Sequence, residues 1–307
     1  MRRYLFWVVL TLALAALPVW AQATGNTFYI ELVRRMMIFA IGAISLNLIL
    51  GYGGLVSFGH AAFLGTGGYA VGVLAFYGIF DGWLQWGTAI FGSALVALFI
   101  GAVSIRTSGI YFIMITLAFS QMLYYLGISI EEYGGDDGIR LKARSQFPLV
   151  DLTDAVQFYY VVLALMLACA LIVHRIVHSR FGMVLRAAKS NEARTRAIGF
   201  SPYAYRLAAF VIAGAMGGLA GALLVNQTNY LTPEFMNWTR SGELMFMVIL
   251  GGMGTSAGPV VGAFALLILE DVLAGMTEYF LVILGPLLVL SVIFFRRGLA
   301  GIFSRHD

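Results

Sequence analysis

Two sets of residues in this chain have the types and spacing to do chemistry. The first is a group of polar side chains inside apolar runs: Asn47, Ser57, His60, Thr116 and Gln121. An amide, hydroxyl or imidazole in hydrocarbon either bonds a neighbouring helix, at a gain of about 0.6 kcal/mol, or lines a route for a polar solute. The second is a basic insert, HRIVHSRFGMVLRAAKSNEARTRAIGFSPYAYR, residues 174–206. It is too polar to span a bilayer and too rich in helix formers to be an irregular loop. Met183 to Ile198 lacks a breaker, Gly199 follows, and Pro202 closes the stretch, which predicts a short helix with a C-terminal stop. On composition that helix is either held near anionic lipid heads or docks a soluble partner.

Enzyme chemistry has no such support. There is no G-x-x-x-x-G-K-[ST], and neither lysine, Lys142 nor Lys189, follows a glycine, so ATP is not bound by that route. H-E-x-x-H and C-x-x-C are also missing. The single cysteine, Cys169, excludes an internal disulfide or a multi-cysteine metal site, and its apolar surroundings predict packing. No catalytic residue, metal or cofactor is expected. No series of buried carboxylates or histidines runs through the apolar stretches, which argues against a proton-coupled carrier. His60 is expected to make a structural hydrogen bond. Glu243 is placed to pair with Arg240 or to cap a helix.

These residues must be positioned by elements that lipid, not water, surrounds. Of the 307 residues 61% are hydrophobic and 11% charged, against roughly 25% charged in a soluble domain. Mean hydropathy is +0.89. A span needs about 20 apolar residues. Ten stretches qualify or nearly so: 4–21, 32–50, 57–79, 84–105, 109–130, 155–176, 203–226, 238–254, 256–275 and 279–296. The predicted fold is all-α, a polytopic integral membrane protein of about ten transmembrane helices in a single domain, 1–307.

Charge sets the orientation. Residues 131–154 are acidic on balance, whereas 174–206 and the tail residues Arg296, Arg297 and Arg305 are basic and so cytoplasmic. The net charge of +4 is spread between apolar segments, so nucleic acid is not an expected partner. The N-terminal stretch MRRYLFWVVLTLALAALPVWAQA also fits a cleaved signal peptide. We read it as a retained first span, which places both termini in the cytoplasm; cleavage after Ala23 would leave nine spans and the same tail. Arg34 and Arg35 then fall near the outer side, where they are expected to snorkel.

Two stretches are glycine-rich at membrane depth: GYGGLVSFGHAAFLGTGGYAVG, 51–72, and LGGMGTSAGPVVGAF, 250–264. Broken backbone is tolerated there only where protein or a water-filled cavity covers it, as in transporter substrate sites. Their loose likeness, ending in Gly-x-x-x-Gly at 68–72 and 258–262, suggests an internal repeat; small-residue helix packing is the plainer reading. AGAMGGLAGA, 213–222, is read as packing alone.

Taken in order, LNLILGYGGLVSFGHAAFLGTGGYA (46–70), RTSGIYFIMITLAFSQM (106–122), GGDDGI (134–139), FGMVLRAAKSNEARTRAIG (181–199), WTRSGELMFMVILGGMGTSAGPVVGAF (238–264) and RRGLAG (296–301) are landmarks of a likeness covering roughly 36–300. The chain resembles the LivM-type permease subunit of branched-chain amino-acid ABC importers. The resemblance implies a permease of the bacterial inner membrane that pairs with a LivH-like permease. It implies two ATP-binding-cassette ATPases docking below, where ATP is hydrolysed, and a periplasmic substrate-binding protein above. Within 177–202 the family's docking loop maps onto Gly182, Arg186, Ala187, Glu192, Ala193 and Gly199. Relatives also carry urea, short amides or aromatic acids, so the solute stays open. A stand-alone secondary carrier or channel is the competing class. The chain departs from the family at Arg194-Thr195-Arg196, where small residues are usual, and at Arg296-Arg297-Gly298, where Pro-Arg-Gly is common.

Overall fold

The computed structural model describes residues 2–23, 25–148, 150–294 and 298–299. The tail residues Arg296, Arg297 and Arg305 lie outside them. Twelve α-helices follow one another: α1 (Arg2–Ala23), α2 (Phe28–Asn47), α3 (His60–Phe76), α4 (Gly82–Ser104), α5 (Ile110–Ser129), α6 (Ala155–His178), α7 (Arg180–Ser190), α8 (Glu192–Ala197), α9 (Pro202–Thr228), α10 (Trp238–Gly251), α11 (Gly258–Met276) and α12 (Phe280–Phe294). Each of the ten stretches expected to span holds one helix, and the basic insert supplies the other two.

Among the described residues six helices are long and apolar enough to cross a bilayer: 28–52, 82–104, 110–129, 155–178, 202–228 and 258–276. The expected ten crossings are not reached on length. The apolar parts of α1, α3 and α12 are shorter, and α10 has only 14 residues. For α3 and α10 the cause is local. Residues 53–59 stay outside the helix before α3, and Gly252 takes a positive φ of 117° at the end of α10, a conformation open to glycine and strained for other residues.

Side-chain caps set several helix starts by accepting hydrogen bonds from first-turn N–H groups. Asp81 accepts from Trp83 N at 2.9 Å, Asp154 from Val156 N at 2.9 Å, and Asn191 from Arg194 N at 2.8 Å. The Asn191 cap divides the basic insert into α7 and α8, where the sequence predicted one helix; an extended Asn191 with φ of −157° cannot continue α7.

The core is built on α2 and α9. Residues 36–52 of α2 and its continuation are almost wholly buried between α6, α9, α10 and α11. One face of α9 packs on α3 and α4 through small residues. A Cβ on Gly221 would overlap the Leu64 carbonyl, and one on Gly67 the Gly218 carbonyl. Ser93 donates to the Phe63 carbonyl at 3.1 Å across the same seam. The 213–222 stretch is therefore packing, as read, with backbones touching as small-residue faces allow. By contrast α4 and α5 expose Phe91, Phe99, Tyr111 and Met114, apolar surface that suits lipid. Outside the helices, two residues, Ile139–Arg140 (β1), pair antiparallel with Tyr230–Leu231 (β2), Ile139 opposite Leu231.

Arg34 corrects an expectation. It does not snorkel: it is 1% exposed, its guanidinium lies 4.5 Å from the Phe158 ring centre, and it donates to Gln227 Oε1 and, at 3.3 Å, to the Ala155 carbonyl. The ends of α6 and α9 supply acceptors that make burial possible. Arg35 does stay at the surface, 3.9 Å from Glu270.

Replacing Gly221 by Val should force α3 and α9 apart, an overpacking cost of about 1–3 kcal/mol or more. The expected outcome is a sharp fall in the detergent-purified, monodisperse fraction relative to wild type, while Gly92→Ala, which meets nothing within 4 Å, should leave it unchanged.

Candidate functional site

Backbone that leaves a helix inside a bilayer must find other partners. At the end of α2 the backbone widens into a π-helical turn, Leu48–Tyr52, before the loop to α3. Between α10 and α11 the backbone turns through Gly252 and Gly254, both at positive φ. One side chain serves both breaks. Asn47, 1% exposed, donates from Nδ2 to the Thr255 carbonyl at 3.0 Å and accepts from the Gly254 N–H at 2.9 Å. Thr255 Oγ1 donates to the Gly252 carbonyl at 2.9 Å and accepts from the Gly258 N–H at 3.0 Å, which caps α11. A Cβ on Gly51 would meet the Gly254 nitrogen at 2.5 Å, so the two breaks can touch only with glycine at 51, while the φ of +73° calls for glycine at 254. Gly298 packs against Gly252, and the Leu299 N–H donates to the Leu250 carbonyl at 2.8 Å.

The basic insert reaches this junction. Lys189, in the last turn of α7, donates from Nζ to the Gly51 carbonyl at 2.7 Å. Its methylene stem lies where a Cβ on Gly54 would sit, and Gly54 has a φ of +70°. Sequence reading missed Lys189. Its only signal was rarity, one of two lysines in a chain whose other fixed cations are arginines.

The rest of α7 and α8 divides cleanly into an inner and an outer face. Val184, Leu185, Ala188 and Thr195 are buried against the bundle, while Met183, Ala187, Ala193, Arg194, Ile198 and Gly199 face outward. Gly182 is buried beneath the Val177 carbonyl with no room for a Cβ. Arg186 donates at 3.4 Å to the Val177 and Gly182 carbonyls, closing the C-terminal end of α6. Glu192 holds Arg196 at 2.5 Å and Arg206 at 2.6 Å, which ties α8 to the first turn of α9. Partial burial works against the Glu192 charge, but the bonds and charges of Arg206 and Arg196 outweigh it and hold its carboxyl below the usual glutamate range. Of the six residues mapped from the family, Ala187, Ala193 and Gly199 thus stand on the outer face, and Gly182, Arg186 and Glu192 hold the element in place.

Ser57, His60 and Thr116 lie around the segment ahead of α3, whereas Asn47 bonds the turn between α10 and α11. His60 Nε2 and Ser45 Oγ are 2.6 Å apart, and Ser45 sits two residues before Asn47 on α2. Ser57 Oγ accepts from the Gly59 N–H at 3.3 Å. Gly59 in turn lies under the Thr116 carbonyl, where a Cβ would come within 2.5 Å. Ser241 Oγ accepts from the Ala61 N–H at 2.8 Å and helps to start α3. Ser45 and Ser241 were missed, because an isolated serine in an apolar run has no pattern to betray it. His60 makes the structural bond expected of it, and its Nδ1 is buried with no partner among the described residues. Thr116 donates its hydroxyl to the Phe112 and Ile113 carbonyls of its own helix, both at 3.0 Å. Gln121 lies more than a turn further along α5, with a buried Nε2 lacking a partner among the described residues. Glu243 pairs with Arg240 at 2.8 Å, one of the two roles foreseen for it.

A set of apolar helices interrupted by two mutually bonded glycine breaks, with an amphipathic helix pair at one end, is a multi-pass membrane protein of the permease class. The model of the branched-chain amino acid transport system / permease component family matches residues 28–292, and the chain belongs to that family. It is 27% identical to the high-affinity branched-chain amino acid transport system permease protein LivM of Salmonella typhimurium, over 88% of this chain and 69% of that one. It is 26% identical to the probable LivM of Methanocaldococcus jannaschii, over 80% of this chain and 82% of that one. Identity to the LivH permease of Escherichia coli is 23%, over 86% and 91% of the two chains. No solved structure matches the chain.

Asn47→Leu should leave the Gly254 N–H and Thr255 carbonyl unpaired in a buried site, a loss of about 1–3 kcal/mol each. The expected result is a melting temperature several degrees lower in purified protein. Lys189→Met, which keeps the stem, should cost much less. The Glu192 pairs stabilise α8 above the carboxyl's unfolded pKa, and that stability is lost as pH falls through the lower folded value. Hydrogen-exchange protection factors across 192–206 should therefore drop in acid and be low at neutral pH in Glu192→Gln.

Proposed function

We propose that the chain is one of two permease subunits of an ATP-binding-cassette importer. It crosses the bacterial inner membrane about ten times, with both termini in the cytoplasm, and a LivH-like subunit completes the pathway. Branched-chain amino acids, the solutes named for its relatives, are delivered by a periplasmic binding protein. Two ATPases serve the pair of permeases, and one docks on the outer face of α7 and α8 within the segment 177–202, around Gly182, Arg186, Ala187, Glu192, Ala193 and Gly199. Asn47, Ser57, His60, Thr116 and Gln121 border the translocation pathway. ATP is hydrolysed by the partners, and this chain needs no cofactor or metal.

The observation that carries this reading is the Lys189–Gly51 bond. It supports a lever: a cationic, solvent-facing helix whose last turn is fastened to the broken backbone of α2, and through Asn47 to the break between α10 and α11. A push on such a helix is delivered to the two places where the spans are weakest. Rigid-body rocking about discontinuous helices is a general route to alternating access.

The test is reconstitution. This chain with its LivH-like partner, ATPases and binding protein should give ATP-dependent uptake of leucine that the binding protein stimulates, and the chain alone should give none. Uptake by the chain alone, driven by an ion gradient, would refute the proposal. The paired variant Met183→Asp and Arg194→Glu, both exposed, should abolish co-purification of the ATPase. Unchanged co-purification would remove the docking assignment.

A further inference from the structure

One charged cluster takes no part in the junction or the lever. It lies at the opposite end of the bundle. From the α7 end, α9 runs 27 residues, about 40 Å, to Asn229, whose φ of 51° makes it the one non-glycine at positive φ among the described residues. Asn229 lines a cavity of about 420 Å³ with Thr153 and three basic residues, Arg140, Lys142 and Arg144. No acidic side chain is in that lining. The volume falls in the range of sites for small organic ligands.

The basic groups are not neutralised from elsewhere. Arg140 and Lys142 are exposed, and among the described residues no carboxylate comes within 4.0 Å of either or of Arg144. Arg144 is held in place: it donates from Nη1 to the Leu152 carbonyl at 2.7 Å and from Nε to Asn229 Oδ1 at 3.3 Å. Its guanidinium lies 5.6 Å from the Phe158 ring, whose centre Arg34 approaches to 4.5 Å. Two guanidinium groups therefore share one aromatic ring. The one carboxylate near Arg34 is Glu31, exposed and 4.0 Å away. Asp151 is engaged by the Thr153 N–H at 2.8 Å and hydroxyl at 2.6 Å. Burial lowers the Arg144 pKa, and Glu31 and Asp151 do not fully offset it. A fixed guanidinium with free donors, flanked by two exposed cations, is matched to a carboxylate, which accepts charge-assisted hydrogen bonds from both kinds of donor.

We propose that Arg140, Lys142 and Arg144 form a receiving site for the carboxylate of a small solute of amino-acid size, at the end of the bundle remote from α7. The choice of solute rests on the importer reading above; the carboxylate chemistry rests on the cavity. The site is a surface capture point, distinct from the Asn47, Ser57 and His60 neighbourhood. A solute released here is concentrated at the mouth of the bundle before it enters.

The full chain in lipid nanodiscs is titrated calorimetrically with leucine, with isovalerate (the carboxylate without the ammonium group) and with leucinamide (the ammonium without the carboxylate), at constant ionic strength in chloride. Leucine and isovalerate should bind and leucinamide should not. The double variant Arg140→Gln/Lys142→Gln, changed only at exposed positions, should weaken both carboxylates by about tenfold at an unchanged melting temperature. Equal binding of leucinamide, competition by chloride as strong as by isovalerate, or undiminished affinity in the double variant would each overturn the site. So would absence of any heat from small carboxylates together with loss of binding-protein-stimulated uptake in the variant, which reassigns the patch to an acidic protein surface. Failure of the titration with ATP-driven import intact removes this site and leaves the importer reading standing.

Discussion

The structure depends on where unpaired backbone goes when helices break inside an apolar bundle. Each N–H or C=O left without a partner in hydrocarbon costs several kcal/mol. Here two breaks occur side by side, and a single amide satisfies one donor and one acceptor across the gap. Asparagine is one of the few side chains able to do this, because it carries both a donor and an acceptor on one short arm. Glycine at 51 and 254 is the complementary requirement, since the amide bridges only when the two backbones almost touch. The π-turn at 48–52 follows from the same geometry. Gly51 lies in the last turn before the helix ends, so its carbonyl has no partner within the helix, and the ammonium of Lys189 takes it up.

Much of this was legible in the sequence. Long apolar runs, two glycine-rich interruptions and a basic amphipathic insert are patterns of composition, and all ten helical stretches appear close to where hydrophobicity places them. The family likeness likewise rested on ordered motifs. The less legible features are those that depend on one interaction across space. That Asn47 reaches Thr255 cannot be read from a separation of 208 residues. The burial of Arg34 ran against the rule that charges seek the interface, because the acceptors that offset its desolvation come from the ends of two other helices. Asn191 was overlooked as a breaker because asparagine is tolerated within helices; its capping bond to Arg194 favours the extended backbone instead.

Several of the polar residues singled out at the start use their atoms within the fold: His60 on Ser45, Ser57 on Gly59, Thr116 on its own helix. Such bonding is how an apolar bundle accommodates polar groups, since a hydroxyl or imidazole satisfied by a neighbour escapes most of the cost of burial. Among the described residues, His60 Nδ1 and Gln121 Nε2 are buried without such a partner.

The glycine face of α9 has a mechanical consequence. Along α3, α4 and α9 the backbone of one helix lies directly against the backbone of the next, which leaves no cushion of side chains to slide over. Such backbone contact makes α3, α4 and α9 one stiff plate, so any rearrangement that keeps these contacts must carry the three helices together.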